Sequence, residues 1–246
     1  MKYKALLLAA GMGSRLRPIT DKIPKCLVKV GNEPMLKRWI NDIRETACTE
    51  VLINTHYLSS KVREYLESEI IEGVNIEITE ENVLLGTAGT LINNQKYFGD
   101  SGIIFIHADN ATDRVLNKMM KRHINRPKNC IMTMLTFETN MPEKCGIVEI
   151  DEEGVVVNFH EKISNPPGNL ANGAVYIIEP EFFEIIKAYD KEVFDFSLDV
   201  IPNLLGKICT WKTSDPYIDI GTPNQLDKAL KIWPNTTHES TVKLNP

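Results

Sequence analysis

Ala10-Gly11-Met12-Gly13-Ser14-Arg15-Leu16-Arg17-Pro18 follows the apolar run Tyr3 to Ala9, and Lys25 stands just after Pro24. Gly11 and Gly13 carry no Cβ, so backbone N–H groups there can approach an anion closely. Arg15, Arg17 and Lys25 add positive charge within the same short stretch. A strand, then glycines, then basic residues is what binding a nucleoside triphosphate requires. Two other glycine-rich patterns do not fit. The dinucleotide fingerprint needs a third glycine where this chain has Leu16, and an acidic residue after the second strand, which ends at Thr55 without one. The P-loop needs Gly-Lys followed by Ser or Thr, whereas Gly206-Lys207 is followed by Ile208.

The elements that must position this loop follow from periodicity. Met35, Leu36, Trp39, Ile40 and Ile43 recur at helical spacing after Pro34, and Val62, Tyr65, Leu66 and Ile70 mark a second helix. Val51 to Thr55, Asn75 to Thr79 and Gly102 to His107 read as strands. Strand–helix alternation implies a parallel, doubly wound sheet, with ligands beyond the carboxyl ends of the strands. The second half is more mixed. Strands are expected over 130–137, 146–150, 155–159, 174–178 and 208–211, and helices over 180–189 and 222–233.

Composition narrows the class. The chain has 246 residues, 43% hydrophobic, with a formal charge of −5. That suits one large α/β domain and argues against nucleic acid as a partner. No apolar run reaches the ~18 residues of a membrane span, so no membrane partner is expected. The first residues follow a strand pattern without a signal-peptide core, and Cys26, Cys48, Cys130, Cys145 and Cys209 are widely spaced without C-x-x-C. A reduced, cytoplasmic setting fits. Trp39, Trp211 and Trp233 suit a core or an interface, and a homo-oligomer stays open.

Leu8-Ala9-Ala10-Gly11-Met12-Gly13-Ser14-Arg15-Leu16-Arg17-Pro18-Ile19-Thr20 with Pro24-Lys25 resembles the signature of sugar-phosphate nucleotidyltransferases, the NDP-sugar pyrophosphorylases. Leu85-Gly86-Thr87-Ala88-Gly89, Asp109, Gly146-Ile147-Val148, Glu161-Lys162, Ala171-Asn172-Gly173 and Asp219-Ile220-Gly221-Thr222-Pro223 continue it in family order, covering about residues 1–232. The Leu-Gly-Thr-Ala-Gly form is most similar to guanylyltransferases for mannose 1-phosphate or a heptose 1-phosphate. The resemblance implies an α/β fold: a Rossmann-like, doubly wound mixed sheet of GT-A-like type with the sugar-binding half on the same core. Residues 1–233 would form a single domain, about 1–125 the nucleotide half and 126–233 the sugar-phosphate half, with 234–246 a peripheral tail.

It also implies roles. An NTP (GTP favoured) and a sugar 1-phosphate would give an NDP-sugar and pyrophosphate, with UTP, dTTP or CTP and another phosphorylated acceptor as the open alternative. Asp109 and Asp219, each after a strand-like stretch, are expected to hold Mg²⁺, a hard cation that uses one or two carboxylates beside phosphate and water. Taken singly, each aspartate reads better as a turn or cap residue, and the flanking motif at both sites favours metal. Arg15 and Lys25 are expected on the phosphates, Arg17 as an outer charge, and Ala9, Ala10, Gly11, Gly13 and Ser14 around them. Glu81, Gly86 and Thr87 would frame base and ribose, and Asn110 would touch ribose or metal. Lys162 would meet the sugar phosphate, while Gly146, Glu161 and Asn172 face the sugar. A regulatory subunit that binds nucleotide without turnover is the alternative.

Overall fold

The computed structural model describes residues 2–186 and 194–234. Its first half comprises β1 (Tyr3–Leu8), β2 (Lys29–Val30), β3 (Glu33–Pro34), α1 (Met35–Arg44), β4 (Glu50–Thr55), α2 (Ser59–Ser68), β5 (Asn75–Glu80), α3 (Thr87–Asn93), α4 (Gln95–Phe98), β6 (Gly102–His107), β7 (Asn110–Ala111) and α5 (Leu116–Ile124). The second comprises β8 (Met132–Glu138), β9 (Gly146–Ile150), β10 (Val156–Glu161), β11 (Leu170–Ile178), α6 (Phe182–Ile186), β12 (Ile208–Lys212), β13 (Ile218–Asp219) and α7 (Pro223–Ile232). The expected helix over 180–189 lies partly outside the described residues, and so does the tail beyond Pro234.

A nine-stranded sheet carries the fold, in the order β10-β9-β11-β6-β1-β4-β5, with β8 joining β11 to β12. β1 runs parallel to both β4 and β6, and β4 to β5. β11 turns antiparallel against β6, which makes the sheet mixed. Alternate residues of each central strand enter separate cores. Leu7, Ile53 and Ile106 join α1, α5 and α7 on one face, while Leu6, Leu52 and Phe105 join α3, α6 and Phe196 on the other. Coverage of both faces is why these strands read as continuous apolar runs rather than alternating ones. Trp39 is buried in the first core, with Trp211 and Trp233 partly buried against it. Among the described residues no helix is long and apolar enough to cross a membrane.

Several boundaries differ from the sequence reading. α2 stops at Ser68, leaving Ile70 89% exposed. β11 begins at Leu170, four residues before its expected start, and contains a register shift between Asn172 and Tyr176. α5 was not legible because its cap is not local. The Asp42 carboxylate of α1 accepts from the Val115 and Leu116 N–H groups at 3.0 and 3.3 Å. A carboxylate on those otherwise unbonded amides both caps the helix and complements its dipole.

Two buried groups oppose each other in acid. Burial pushes Asp42 up to about 6, above the ordinary 3.8, although the two amides pull it down. Burial lowers His123, which bonds Thr133 and Glu179, from 6.5 to about 4. Between pH ~4 and ~6 the native state binds the Asp42 proton first, so this group adds stability as pH falls. His123 does the reverse between pH ~6.5 and ~4, because the unfolded chain binds its proton first. The Asp42→Asn variant keeps an acceptor but loses the first contribution. Denaturant melts from pH 7 to pH 4.5 are expected to show a steeper loss of stability for the variant than for the parent. Parallel curves would refute the assignment.

Candidate active site

The loop after β1 is held from beneath and open above. The Ala9 N–H donates to Asn54 Oδ1 at 2.8 Å, and Leu16 is fully buried in the core. Gly13 has φ +62°, and a Cβ there would lie 2.8 Å from Thr20 Cγ2. The Thr20 hydroxyl donates to the Gly13 carbonyl at 2.7 Å. Gly13 is therefore a turn requirement. At Gly11 nothing lies within 4 Å of a Cβ position, so that backbone faces open space. Ser14 and Arg15 are exposed on the same loop, while Arg17 pairs outward with Asp21 at 3.1 Å.

Asp109 and Asp219 converge. β7 pairs antiparallel with β13, which sets Asp219 opposite Asn110, and the Ile220 N–H donates to the Asp109 carbonyl at 3.1 Å. Lys25 Nζ then lies 2.6 Å from Asp109 Oδ2 and 3.0 Å from Asp219 Oδ1. Burial opposes the charge on Lys25, but Asp109 and Asp219 outweigh it and hold the ammonium above its ordinary pKa. Burial likewise works against the Asp109 carboxylate, yet Lys25 keeps it below its ordinary range. Gly221 leaves room here: a Cβ would stand 3.0 Å from both Asp219 oxygens and 3.1 Å from Arg15 Nη2.

A cavity of about 290 Å³ opens from Asp109 along the ends of β1, β4 and β6, walled by Ala10, Gly11, Asn54, Glu81, Thr90 and His107. Asn54 Nδ2 donates to Glu81 Oε1 at 2.9 Å, and the Thr90 hydroxyl donates to the same oxygen at 2.5 Å. Glu81 Oε2 accepts only a long bond, 3.3 Å, from the Leu85 N–H. Asn54, Thr90 and His107 escaped the sequence reading. A buried strand-end asparagine and a histidine inside an apolar run carry no motif of their own; only the sheet register reveals them.

Three nucleotide-side expectations change. Gly86 also lines this cavity, but its missing Cβ makes way for the chain itself: at φ +80° a Cβ would meet the Phe194 carbonyl oxygen at 2.5 Å. The Thr87 hydroxyl accepts from the Phe196 N–H at 2.7 Å, so it ties down a neighbouring segment. Asn110 is buried away from this cavity, its side-chain amide donating to the His107 carbonyl at 3.4 Å and its backbone carbonyl accepting from Trp39 Nε1 at 3.1 Å.

On the other side, Lys162 Nζ pairs with Glu161 Oε1 at 2.6 Å, with the Lys162 side chain 64% exposed. A Cβ on Gly146 would lie 2.6 Å from Glu161 Oε2, so this glycine seats Glu161. Asn172 is engaged within its own strand. Its amide donates to the Tyr176 hydroxyl at 2.7 Å and its oxygen accepts from the Ala174 N–H at 2.9 Å, holding the irregular turn of β11 where Ala174 has φ +53°. A second cavity of about 460 Å³ begins at Arg15 and Asp219 and runs past Cys145, Tyr217 and Lys228.

The sequence model described as nucleotidyl transferase matches residues 4–234, so the chain belongs to that family. It is 30% identical over 240 residues to a probable mannose-1-phosphate guanylyltransferase 3 of Oryza sativa subsp. japonica, covering 94% of this chain and 64% of that protein. It is 27% identical over 221 residues to the D-glycero-alpha-D-manno-heptose 1-phosphate guanylyltransferase of Campylobacter jejuni, covering 89% and 95%. This chain thus spans under two thirds of the rice protein and nearly all of the bacterial one. Among solved structures, a putative glucose-1-phosphate thymidylyltransferase from Bacillus anthracis superposes with a TM-score of 0.85 over 96% of both chains at 23% identity, which establishes the shared fold.

The close contact at Gly86 yields a test. The Gly86→Ala variant is expected to lose on the order of 2 kcal/mol or more of stability, from left-handed strain plus the clash with the Phe194 backbone. Thermal melts check it, and an unchanged midpoint would mean that the 194–196 segment can withdraw without cost.

Proposed function

We propose that this nucleotidyl transferase family member moves a nucleoside monophosphate from an NTP, GTP favoured, to a sugar 1-phosphate of mannose or heptose type. Products are the NDP-sugar and pyrophosphate. The observation that carries the reading is Lys25 between Asp109 and Asp219 at the mouth of a nucleoside-sized cavity. Names of the rice and Campylobacter relatives favour the acceptor. Glu81 favours the base, because its Oε2 keeps acceptor capacity and guanine offers two adjacent donors. UTP, dTTP and CTP remain the alternatives.

The chemistry asks for alignment and charge neutralisation. An acceptor phosphate oxygen forms the new bond to the α-phosphorus, and the bond from that phosphorus to the β-phosphate oxygen breaks on the far side. A phosphate monoester is already anionic near neutral pH, so no general base is needed. Lys25 and Arg15 would take the charge of the departing pyrophosphate. Gly11 leaves its backbone free to approach phosphate oxygens. Glu161, seated by Gly146, and Lys162 would receive the acceptor.

Mg²⁺ fits the residues present. Asp109 and Asp219 already direct one oxygen each at a single cationic atom, and Gly221 gives the second carboxylate room. Mg²⁺ commonly uses only one or two carboxylates and takes its remaining ligands from phosphate oxygens and water. Bound there, it would neutralise the phosphate charge as a Lewis acid. Five cysteines, all free thiols, support a reduced compartment such as the cytoplasm.

Pyrophosphate release, measured over GTP, UTP, dTTP and CTP with mannose, heptose and glucose 1-phosphates, tests the reading with and without Mg²⁺. The expected outcome is Mg²⁺-dependent turnover that Asp109→Asn lowers by about 100-fold or more, with its thermal midpoint retained. Unchanged kcat in that variant removes Asp109 from the site. Saturable nucleotide binding without turnover across the panel replaces the enzyme with a regulatory subunit.

A further inference from the structure

His107 closes the C-terminal end of β6, and the register of β1 fixes where it lies. Leu8 pairs with Asn54 of β4 on one side and with His107 of β6 on the other. The three residues form a row across adjacent strands, on the face that carries Leu6, Leu52 and Phe105. All three line the same cavity. At about 4.8 Å per strand the row measures roughly 10 Å, enough to run under a nucleoside from base to ribose.

The two ends of that row differ in chemistry. Asn54 belongs to the network with Glu81 and Thr90, where donors and acceptors suited to a base collect. Two residues past His107, in the turn that follows β6, stands Asp109, which lines the same cavity at its phosphate end. In a nucleotide, the group between base and phosphates is the ribose. Asn54, Glu81, Thr87, Thr90 and Asp109, the other polar side chains of this wall, all have protein partners. His107 Nε2 is buried without any. Its ring meets the edge of Phe105, with centroids 5.8 Å apart, a contact that an all-carbon ring would make equally well. Packing therefore does not account for an imidazole here. A hydroxyl both donates and accepts, so it can satisfy an imidazole in either tautomer.

We propose that the imidazole of His107 takes a ribose hydroxyl of the bound nucleotide and makes this pocket selective for ribonucleotides over deoxynucleotides. The inference rests on the nucleotidyl-transfer reading above and specifies its substrate class. His107 acts on specificity and is not required for bond making.

The test compares GTP with 2′-deoxy-GTP and 3′-deoxy-GTP on the full chain, by kcat/KM for pyrophosphate release and by Kd from calorimetry. UTP and CTP with their deoxy forms serve if GTP is not used. The parent protein is expected to favour the ribonucleotide by about tenfold or more over at least one deoxy form. His107→Phe keeps a ring against Phe105 and is expected to bring that ratio to about one by weakening the ribonucleotide alone. His107→Gln, a second variant that retains a donor and an acceptor, is expected to recover part of it. Equal losses on ribo and deoxy forms, or no preference in the parent protein, overturn the proposal. Turnover with a flat ratio leaves the transfer reading standing while this inference fails. A His107-dependent ratio in Kd without turnover does the opposite, and binding of no nucleotide overturns both.

Discussion

Two carboxylates cannot be held face to face without a cation between them, and the rest of the site follows from that constraint. Two like charges ~5 Å apart in a partly screened medium repel by on the order of 3 kcal/mol. Lys25 offsets this by bonding both Asp109 and Asp219. The lysine can do so only because the loop after β1 is pinned by Asn54 below and Leu16 inside the core. Asp219 reaches the same point only through the short β7–β13 ladder, which brings the last part of the chain onto the strand end of the first half. A distant pair of acidic residues thus becomes one electrostatic unit through backbone pairing, with side-chain charge setting the final separation.

That unit sits where a parallel sheet must place it. β1, β4 and β6 all end at one edge, and connections there are free to leave the hydrogen-bonded ladder. The cores on both faces leave no solvent-lined strand surface further down, so polar side chains such as Asn54 and His107 collect at the exposed ends. Between them Leu8 supplies an apolar floor. Polar, apolar, polar across three strands suits a ligand whose flat middle is hydrophobic and whose ends carry hydrogen-bonding groups.

The sequence made the central strands legible because each depends on near neighbours, whereas the approach of Asp219 to Asp109 depends on the distant β7–β13 ladder and was implied only by the family resemblance. Gly102 to His107 is apolar because both its faces are covered, and it emerges with the expected bounds. α1 shows its buried stripe directly. Elements and residues that depend on distant partners stayed hidden. α5 lacks a local cap because Asp42 supplies it from α1. Asn172 looked like a sugar ligand, but its amide is needed to hold the turn within β11. Asn110 looked like a ribose or metal contact beside Asp109, yet it opens β7, where its side-chain amide is spent on the His107 carbonyl and its backbone carbonyl on Trp39.

Glycine proved the most ambiguous residue in the sequence, for a physical reason. A missing Cβ is the same signal whether the space serves a ligand or the chain's own packing. At Gly11 the space is open. At Gly86 it is filled by the Phe194 backbone, and at Gly146 by Glu161 and Phe159. Those last two act one step removed: Gly86 lets the 194–196 segment brace Thr87 at the wall of the cavity beside Asp109, and Gly146 seats the Glu161 carboxylate. Glycines that admit substrate and glycines that admit the walls around it are therefore indistinguishable in the sequence, and only the neighbouring atoms separate them.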